Sequence, residues 1–570
     1  MSIKEVLSSK QGGQLLLLLV LAVGLNLNTL MNSYAYDDQV VLTSNTLVAK
    51  GFAGIPELMR TEYFSGFKGN TVVLSGARYR PLSLVFFAVE YQIFGANPFV
   101  SHLINVLLFA LLIYLLYKLL SVYLFRFYNP WLTFLTCIVF VVHPIHTEII
   151  ANVKGRDELI TFICLIASLI TCCRFVQNKS GWNLVYSLAW FILALLCKET
   201  ALCFIGVVPL ALYFFYSFPV KRAVLNSMPF LIALTAYLSL RWMIVGFHQH
   251  TISDIGNSPY IFATVGQAMA TKTYIILKYI ALLFFPYPLS YDYGYNQIPY
   301  IGLGSIQFII SVLSLTVILV PAFFMIKGRS LYSFCILFFF ISLSVGTNFL
   351  FDMGAPLAER ILFQPSLAFS ILTASLFLAL YQRYRAQSIV MGGAVLVLFS
   401  LKTIARNKDW KDEATLFVAD LASAPNSVRV NQNAAKVYLS NAIATTELRA
   451  RKDNYRKAIA CYWRGLHLAP DNQVMMRALE LSYLDLMECY PDAKVFLDEN
   501  KPDSSALTPE EFPIYLSSLL FQQGIVFQHQ QDMPGAISYF RKAVEYNKQN
   551  RKAREKLRAL DPENKDIGPF

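Results

Sequence analysis

Phe99-Val-Ser-His-Leu-Ile-Asn-Val-Leu-Leu-Phe-Ala-Leu-Leu-Ile-Tyr-Leu-Leu-Tyr-Lys-Leu-Leu120 decides the class of fold. A helical span needs roughly 20 predominantly apolar residues to cross about 30 Å of hydrocarbon, and this run meets that length with a single formal charge near its end. Comparable runs occur near 14–30, 131–143, 158–174, 184–197, 200–217, 225–245, 303–326, 331–349, 362–381 and 387–403, so the sequence predicts eleven crossings. Pro81 to Gly95 is apolar but interrupted by Glu90, and its length corresponds to only about 22 Å of helix. It is expected at the interface.

Composition agrees with a membrane chain. Apolar residues make up 56% of the 570 positions and charged residues 15%, against about 25% charged in soluble domains, and the mean hydropathy is +0.48. The net charge of +12 is not a nucleic-acid footprint, because much of it sits in short loops between apolar runs. With the N-terminus inside, the inner loops hold Lys118/Arg126, Arg174/Lys179, Lys221/Arg222, Lys327/Arg329 and Arg383/Arg385, and every one is basic. That arrangement requires 268–286, with Lys272 and Lys278, to be an outer-face helix or re-entrant segment; a crossing there would give twelve spans and break the rule. The N-terminal run follows Lys4 and Lys10 without a small-x-small cleavage site and is taken as a retained first span. Seven of the nine cysteines lie in or beside apolar runs without metal-knuckle spacing, as buried thiols do.

The expected fold is all-α: a polytopic membrane helical bundle over 1–403, with a first outer loop at about 32–80, then an extracytoplasmic domain over 404–570. That second domain contains an internal repeat. Ala458, Tyr462, Gly465 and Pro470 recur as Ala536, Phe540 and Ala543, with Lys548 at the proline position, and Gly524 and Phe527 stand where a preceding helix would carry them. Small residues let antiparallel helices approach and an aromatic fills the groove, the pattern of a tetratricopeptide-type α-solenoid. Residues 473–500 read as a degenerate third copy. Such arrays bind peptides or partners.

Several polar groups stand out against this background. Asp37 and Asp38 follow the first span; a carboxylate at such a boundary serves as a general base or sits in an ordinary solvated turn. His143, His146 and Glu148 end the third span and are metal-capable residue types, so a divalent metal is admitted although no cofactor is required. Their spacing, with a proline between, is not a standard ligand set. Lys154 and Arg156 are placed to meet an anionic headgroup. Lys198 and Glu199 between two apolar runs read as a self-compensating pair in an outer turn. Asp292 and Tyr293 lie in an aromatic-rich segment suited to a sugar face, and Glu359 with Arg360 opens an outward-originating span, Arg360 being a candidate for a lipid phosphate.

Taken in order, Tyr36-Asp-Asp38, Arg80-Pro-Leu-Ser83, His143-Pro-Ile-His-Thr-Glu148, Gly155-Arg156, Lys198-Glu-Thr200, Leu289-Ser-Tyr-Asp-Tyr293, Glu359-Arg360 with Pro365-Ser366, and Arg406-Asn-Lys-Asp-Trp410 resemble the transmembrane and tetratricopeptide-repeat O-mannosyltransferase family, within the GT-C glycosyltransferases. The resemblance covers nearly the whole chain. It implies a polyprenyl-phosphate-linked sugar donor, a Ser or Thr hydroxyl of an exported protein as acceptor, and repeats on the outer face that present it. It also implies that Asp37 or Asp38 is the base. The short repeat domain and a lone glycosylation sequon, Asn178-Lys-Ser180, in a predicted inner loop suit a bacterial relative in the cytoplasmic membrane. The expected reaction is an inverting transfer, with Arg360 stabilising the departing phosphate and Arg156 and Lys198 in reserve. Transfer to a glycan or lipid, or a non-catalytic membrane-anchored scaffold, are the alternatives the residues leave open.

Overall fold

The computed structural model describes residues 10–67, 78–246, 259–350, 353–500 and 508–561; among them every regular element is helical apart from one isolated antiparallel bridge between Asn45 and Phe67. Lys4 and the middle of the first loop lie outside the described residues. Contacts divide the chain into two compact units, Met1–Gly294 with Ile298–Ser423, and Tyr295–Gln297 with Ala424–Phe570. The division falls beyond residue 403 because the helix Arg385–Asp409 continues past it, and Arg406 grips Asp420 of the next helix at 2.6 and 3.0 Å.

In the first unit, seven described helices are long and apolar enough to cross a membrane: Gln11–Met31, Pro98–Leu124, Val153–Asn178, Val220–Val245, Ile306–Phe324, Ser366–Arg383 and Arg385–Asp409. Pro130–Val142 and Pro144–Ala151 form an eighth if the pair, bent by 55°, is one span. The break comes at a proline, which lacks the N–H needed to continue the helix. The other three expected spans are the shorter apolar helices Gly181–Cys197, Glu199–Phe215 and Leu331–Gly346, so length alone assigns seven or eight of the eleven crossings. Val265–Phe284, which carries Lys272 and Lys278, is not among the helices that pass.

Local chemistry sets these boundaries. Pro81, Pro98 and Pro130 each open a helix where the missing N–H costs nothing, and the Asn97 and Asn129 side chains accept from Val100 N and Trp131 N. Burial then locates the centre of the bundle. Val153–Asn178 is 83% buried over its apolar window, whereas Ile306–Phe324 and Arg385–Asp409 are each 11% buried and form the periphery. The charged start of that central helix is therefore the most enclosed polar surface of the unit, and the candidate site is built there.

The second unit consists of antiparallel helical hairpins, Val428–Ala444 with Leu448–Leu468 and Glu511–His529 with Met533–Tyr546, separated by Gln473–Met487 and Ala493–Glu499. The repeat positions lie where the helices meet: Ala458, Tyr462, Ala536, Phe540 and Ala543 are buried. At Gly524 an added Cβ would sit 2.7 Å from the Phe540 ring, so the close approach requires glycine. Overpacking of this kind costs about 1–3 kcal/mol. Gly524→Val is therefore expected to lower the unfolding midpoint of the full chain's second unit, while Gly393→Ala, which lies in the first unit and meets nothing within 4 Å, leaves that midpoint unchanged. Circular dichroism in detergent, following the lower transition, measures both.

Candidate functional site

The paired aspartates are separated by a backbone turn that gives them different surroundings. Tyr36 adopts a φ of +54°, in the left-handed region that costs a non-glycine residue roughly 1–2 kcal/mol. Its ring is held 4.8 Å from Tyr291 and 6.2 Å from Phe417. Asp38 then points inward and is fully buried, its Oδ2 accepting from Ala35 N at 3.0 Å and its Oδ1 from Lys154 N at 2.8 Å. Burial pushes the Asp38 carboxyl up to about 7, against the pull of those two backbone donors. Asp37 remains 26% exposed and takes the Lys154 ammonium at 2.9 Å.

Lys154 reaches both aspartates because it lies in a tight turn, Val153–Gly155, before the central helix. The Asn152 side chain shares the Lys154 N–H at 3.1 Å. Gly155 closes the turn against Ile149 O, where an added Cβ would come within 2.2 Å. Across the site, Arg360 donates through Nη1 to Glu148 Oε1 at 2.5 Å, and its backbone N–H donates to Glu148 Oε2 at 2.9 Å. The Arg360 side chain is 26% exposed, and the Asp37 carboxylate helps to hold its charge. Asp37, Lys154, Glu148 and Arg360 thus share a polar patch that is open to solvent at Asp37 and Arg360 and buried at Lys154 and Glu148, with Asp38 enclosed against the Lys154 backbone.

Other expected site residues are placed differently. Arg156 is buried, bound to Glu90, to Asn105 Oδ1 at 2.9 Å and to Ser101 O at 2.9 Å, so it is closed to a headgroup. Lys198 and Glu199 do not compensate each other. Lys198 meets Asp157 at 3.1 Å and Glu158 at 3.2 Å, while Glu199 takes Arg80 at 2.5 and 2.7 Å, and Arg80 also reaches Asp157 at 3.1 Å. Neither Arg156 nor Lys198 is free to replace Arg360. Adjacent residues in an extended or tightly turned chain face opposite ways, and a charge in an apolar setting seeks partners on distant segments.

The metal-capable set does not converge. His143 is held by Leu283 O at 2.9 Å and accepts from Ile145 N at 3.2 Å, His146 meets Ser366 Oγ at 2.8 Å, and Glu148 is committed to Arg360. Among the described residues, no group of three His, Cys, Asp or Glu side chains is arranged to hold a metal ion. Asp292 and Tyr293 are buried rather than presented to a sugar. Asp292 Oδ2 accepts from Gly294 N at 2.8 Å, and the Tyr293 hydroxyl donates to Glu359 at 2.8 Å. Glu359 also accepts from Ser290 N at 2.6 Å, and burial pushes it up to about 8, partly offset by Arg406. Glu359 therefore anchors the 288–293 loop while its neighbour Arg360 faces the patch.

Sequence reasoning gave no role to Asp157, Glu158 or Asn105, and noted Glu90 only as a break in an apolar run. Their signal was present: uncompensated polar groups inside apolar stretches, beside an arginine that needed partners.

Comparison with known proteins bears on this arrangement. Residues 80–245 match the family model described as dolichyl-phosphate-mannose-protein mannosyltransferase. The Caenorhabditis elegans protein O-mannosyl-transferase F38B6.6 is 27% identical over 462 residues, covering 80% of this chain and 63% of its own length. Human protein O-mannosyl-transferase TMTC3 is 24% identical over 490 residues, covering 77% of this chain and 51% of its own. The chain is thus similar in sequence to these protein O-mannosyl-transferases. It spans between about half and just under two thirds of these relatives' length. The crystal structure of the Archaeoglobus fulgidus oligosaccharyltransferase in the apo form aligns with a TM-score of 0.33 at 14% identity, covering 78% of this chain and 59% of that one. The family match spans the buried lattice from Arg80 and Glu90 to Glu199, whereas Asp38 and Arg360 lie on either side of it.

The lattice yields a stability prediction. Removing one partner of a buried pair costs about 3–5 kcal/mol, because a bare charge remains, whereas replacing both is close to neutral. Arg156→Met is expected to destabilise the first unit by that amount, and Arg156→Met with Glu90→Met to recover most of it. Thermal aggregation of detergent-solubilised protein reads the difference.

Proposed function

We propose that this protein is a membrane glycosyltransferase that moves a mannose or similar hexose from a polyprenyl-phosphate-linked donor to Ser or Thr hydroxyls of exported proteins. The single observation that carries the reading is that Lys154 joins the two aspartates, its N–H on the buried Asp38 and its ammonium on Asp37, while the Asp37 carboxylate helps to hold the charge of the partly exposed Arg360. A transfer of this kind needs a proton acceptor for the attacking hydroxyl and a cation for the departing phosphate. The names of the relatives supply the sugar and the protein acceptor.

In this mechanism the acceptor oxygen attacks the anomeric carbon while Asp38 takes its proton. The bond from that carbon to the phosphate oxygen breaks on the opposite face, inverting the configuration. The phosphate leaves with the bonding pair, and its charge is met by the free N–H groups of Arg360. Lys154 neutralises Asp37, so a single carboxylate beside it is left to act as base. Asp37 is the alternative base only if Lys154 releases it. Holding a membrane-bound donor beside the acceptor supplies much of the remaining acceleration.

The basic inner loops orient the chain with the N-terminus inside, the patch on the outer side, and the second unit on that same side. The repeats of that unit, read as tetratricopeptide-type, present the acceptor polypeptide there.

A base acts when deprotonated, and burial has pushed the Asp38 carboxyl up to about 7. Transfer from polyprenyl-phosphate mannose to a Ser/Thr peptide is therefore expected to rise with pH through about 7 and level off above it. Asp38→Asn is expected to lower kcat by about 10²–10⁴-fold, and Arg360→Gln to lower it further than Arg360→Lys. A radiolabelled transfer assay in reconstituted vesicles, across pH 5.5–9, decides the matter. Full activity in Asp38→Asn would end this reading.

A further inference from the structure

The reaction leaves unused the motif Arg406-Asn-Lys-Asp-Trp410, at the end of the last helix crossing the first unit. Its two leading side chains reach in different directions. Asn407 is fully buried, and its Nδ2 donates to Leu25 O at 3.0 Å, Asn28 Oδ1 at 3.0 Å and Asn26 Oδ1 at 3.3 Å. Its backbone carbonyl accepts from Asn32 Nδ2 at 3.1 Å. Neighbouring bonds extend the grip: Asn28 Nδ2 to Ile404 O at 2.9 Å, Ser33 N to Lys411 O at 2.7 Å, and Gln39 Nε2 to Glu413 Oε1 at 2.9 Å. This helix end therefore holds the chain at 25–33, and Glu413 of the next helix holds it at 39, on the other side of Asp37 and Asp38.

Arg406 holds the opposite wall. Its guanidinium binds both oxygens of Asp420, at 2.6 and 3.0 Å, and Asp420 Oδ2 accepts from Tyr291 N at 2.6 Å. The next residue, Ser290, donates its N–H to Glu359 at 2.6 Å, and Tyr293 donates its hydroxyl to the same carboxylate. Glu359 immediately precedes Arg360. Two adjacent side chains thus connect by hydrogen bonds to the two sides of the polar patch, one through the first helix end and the other through the 288–293 loop. Apart from the exposed Ser33 and Lys411, every residue in both chains of contacts is buried or half-buried, where a bidentate arginine fixes geometry as well as charge.

We propose that Arg406 and Asn407 are positioning residues that set the gap between the aspartate-bearing segment and the arginine-bearing turn. The inference rests on the roles given above to Asp38 and Arg360. Misplacing reacting groups by about 1 Å costs on the order of a hundredfold in rate. Asn407→Ala is therefore expected to lower kcat by about a hundredfold while leaving KM for the donor within about twofold. Arg406→Lys, which keeps the charge but loses the fork, is expected to do the same. Asn28→Ala removes one bond of the grip from a half-buried position and gives a smaller loss in protein that folds normally.

The deciding measurement does not use activity. Hydrogen–deuterium exchange of the full chain in nanodiscs should show faster exchange at 33–40 in Asn407→Ala and Asn28→Ala, and at 289–293 in Arg406→Lys. Unchanged exchange there, or a loss of kcat in Asn407→Ala that adds fully to that of Asp38→Asn, overturns the proposal. Active Asp38→Asn with the exchange changes intact would instead overturn the base assignment and leave the clamp standing.

Discussion

Arg156 sits at the head of the most enclosed helix of a membrane bundle, where no water is available to solvate it. A guanidinium in that position persists only if it is paired and hydrogen-bonded, and Glu90, Asn105 and the Ser101 carbonyl each bind one of its three nitrogens. That requirement draws three separate segments together at one point. The same constraint operates at the next two residues, where Arg80 and Lys198 are divided among Asp157, Glu158 and Glu199. The lattice does not perform chemistry. It fixes the turn at Val153–Gly155, and that turn delivers the Lys154 amide and ammonium to two different aspartates.

The contrast between those aspartates is the functional core of the arrangement. They are consecutive in sequence, yet one is enclosed and held by backbone donors while the other reaches the surface and is neutralised by an ammonium. Environment separates two identical carboxyl groups into one that burial raises to about 7 and one that is paired with an ammonium. Lys154 makes this division by giving its N–H to one and its ammonium to the other, and the left-handed Tyr36 just before the pair is held by aromatic packing against Tyr291 and Phe417.

Much of this architecture was legible beforehand. Apolar runs marked the helices, prolines marked their starts, and the small residues Gly465 and Gly524 marked where hairpins close in the second unit. The aspartates and Arg360 were visible because carboxylates and cations at membrane boundaries are costly unless used. The pairing of buried charges was not legible. Lys198 and Glu199 look like natural partners in a linear reading, but their partners are Asp157, Glu158 and Arg80, from segments that only the folded bundle brings near. Tyr293 and Glu359 misled for the same reason, since residue type announces a capacity to bind while tertiary packing decides whether the group faces inward or outward. The boundary between the units was obscured because hydropathy falls before the packing does: residues 404–423 read as soluble but stay tied to the bundle through Arg406 and Asp420.

The assignment of Tyr295–Gln297 to the second unit has a practical corollary. Tyr295 O accepts from Val428 N at 2.6 Å, and Asn296 N donates to Asn426 O at 2.9 Å. The second unit is therefore built from two separate stretches of the chain. Severing the polypeptide after Ser423 would strand three residues whose backbone partners had gone, right beside Asp292 and Tyr293. Dissection of the two units by truncation would thus wound the half that was kept, and point substitutions within the array are the cleaner instrument.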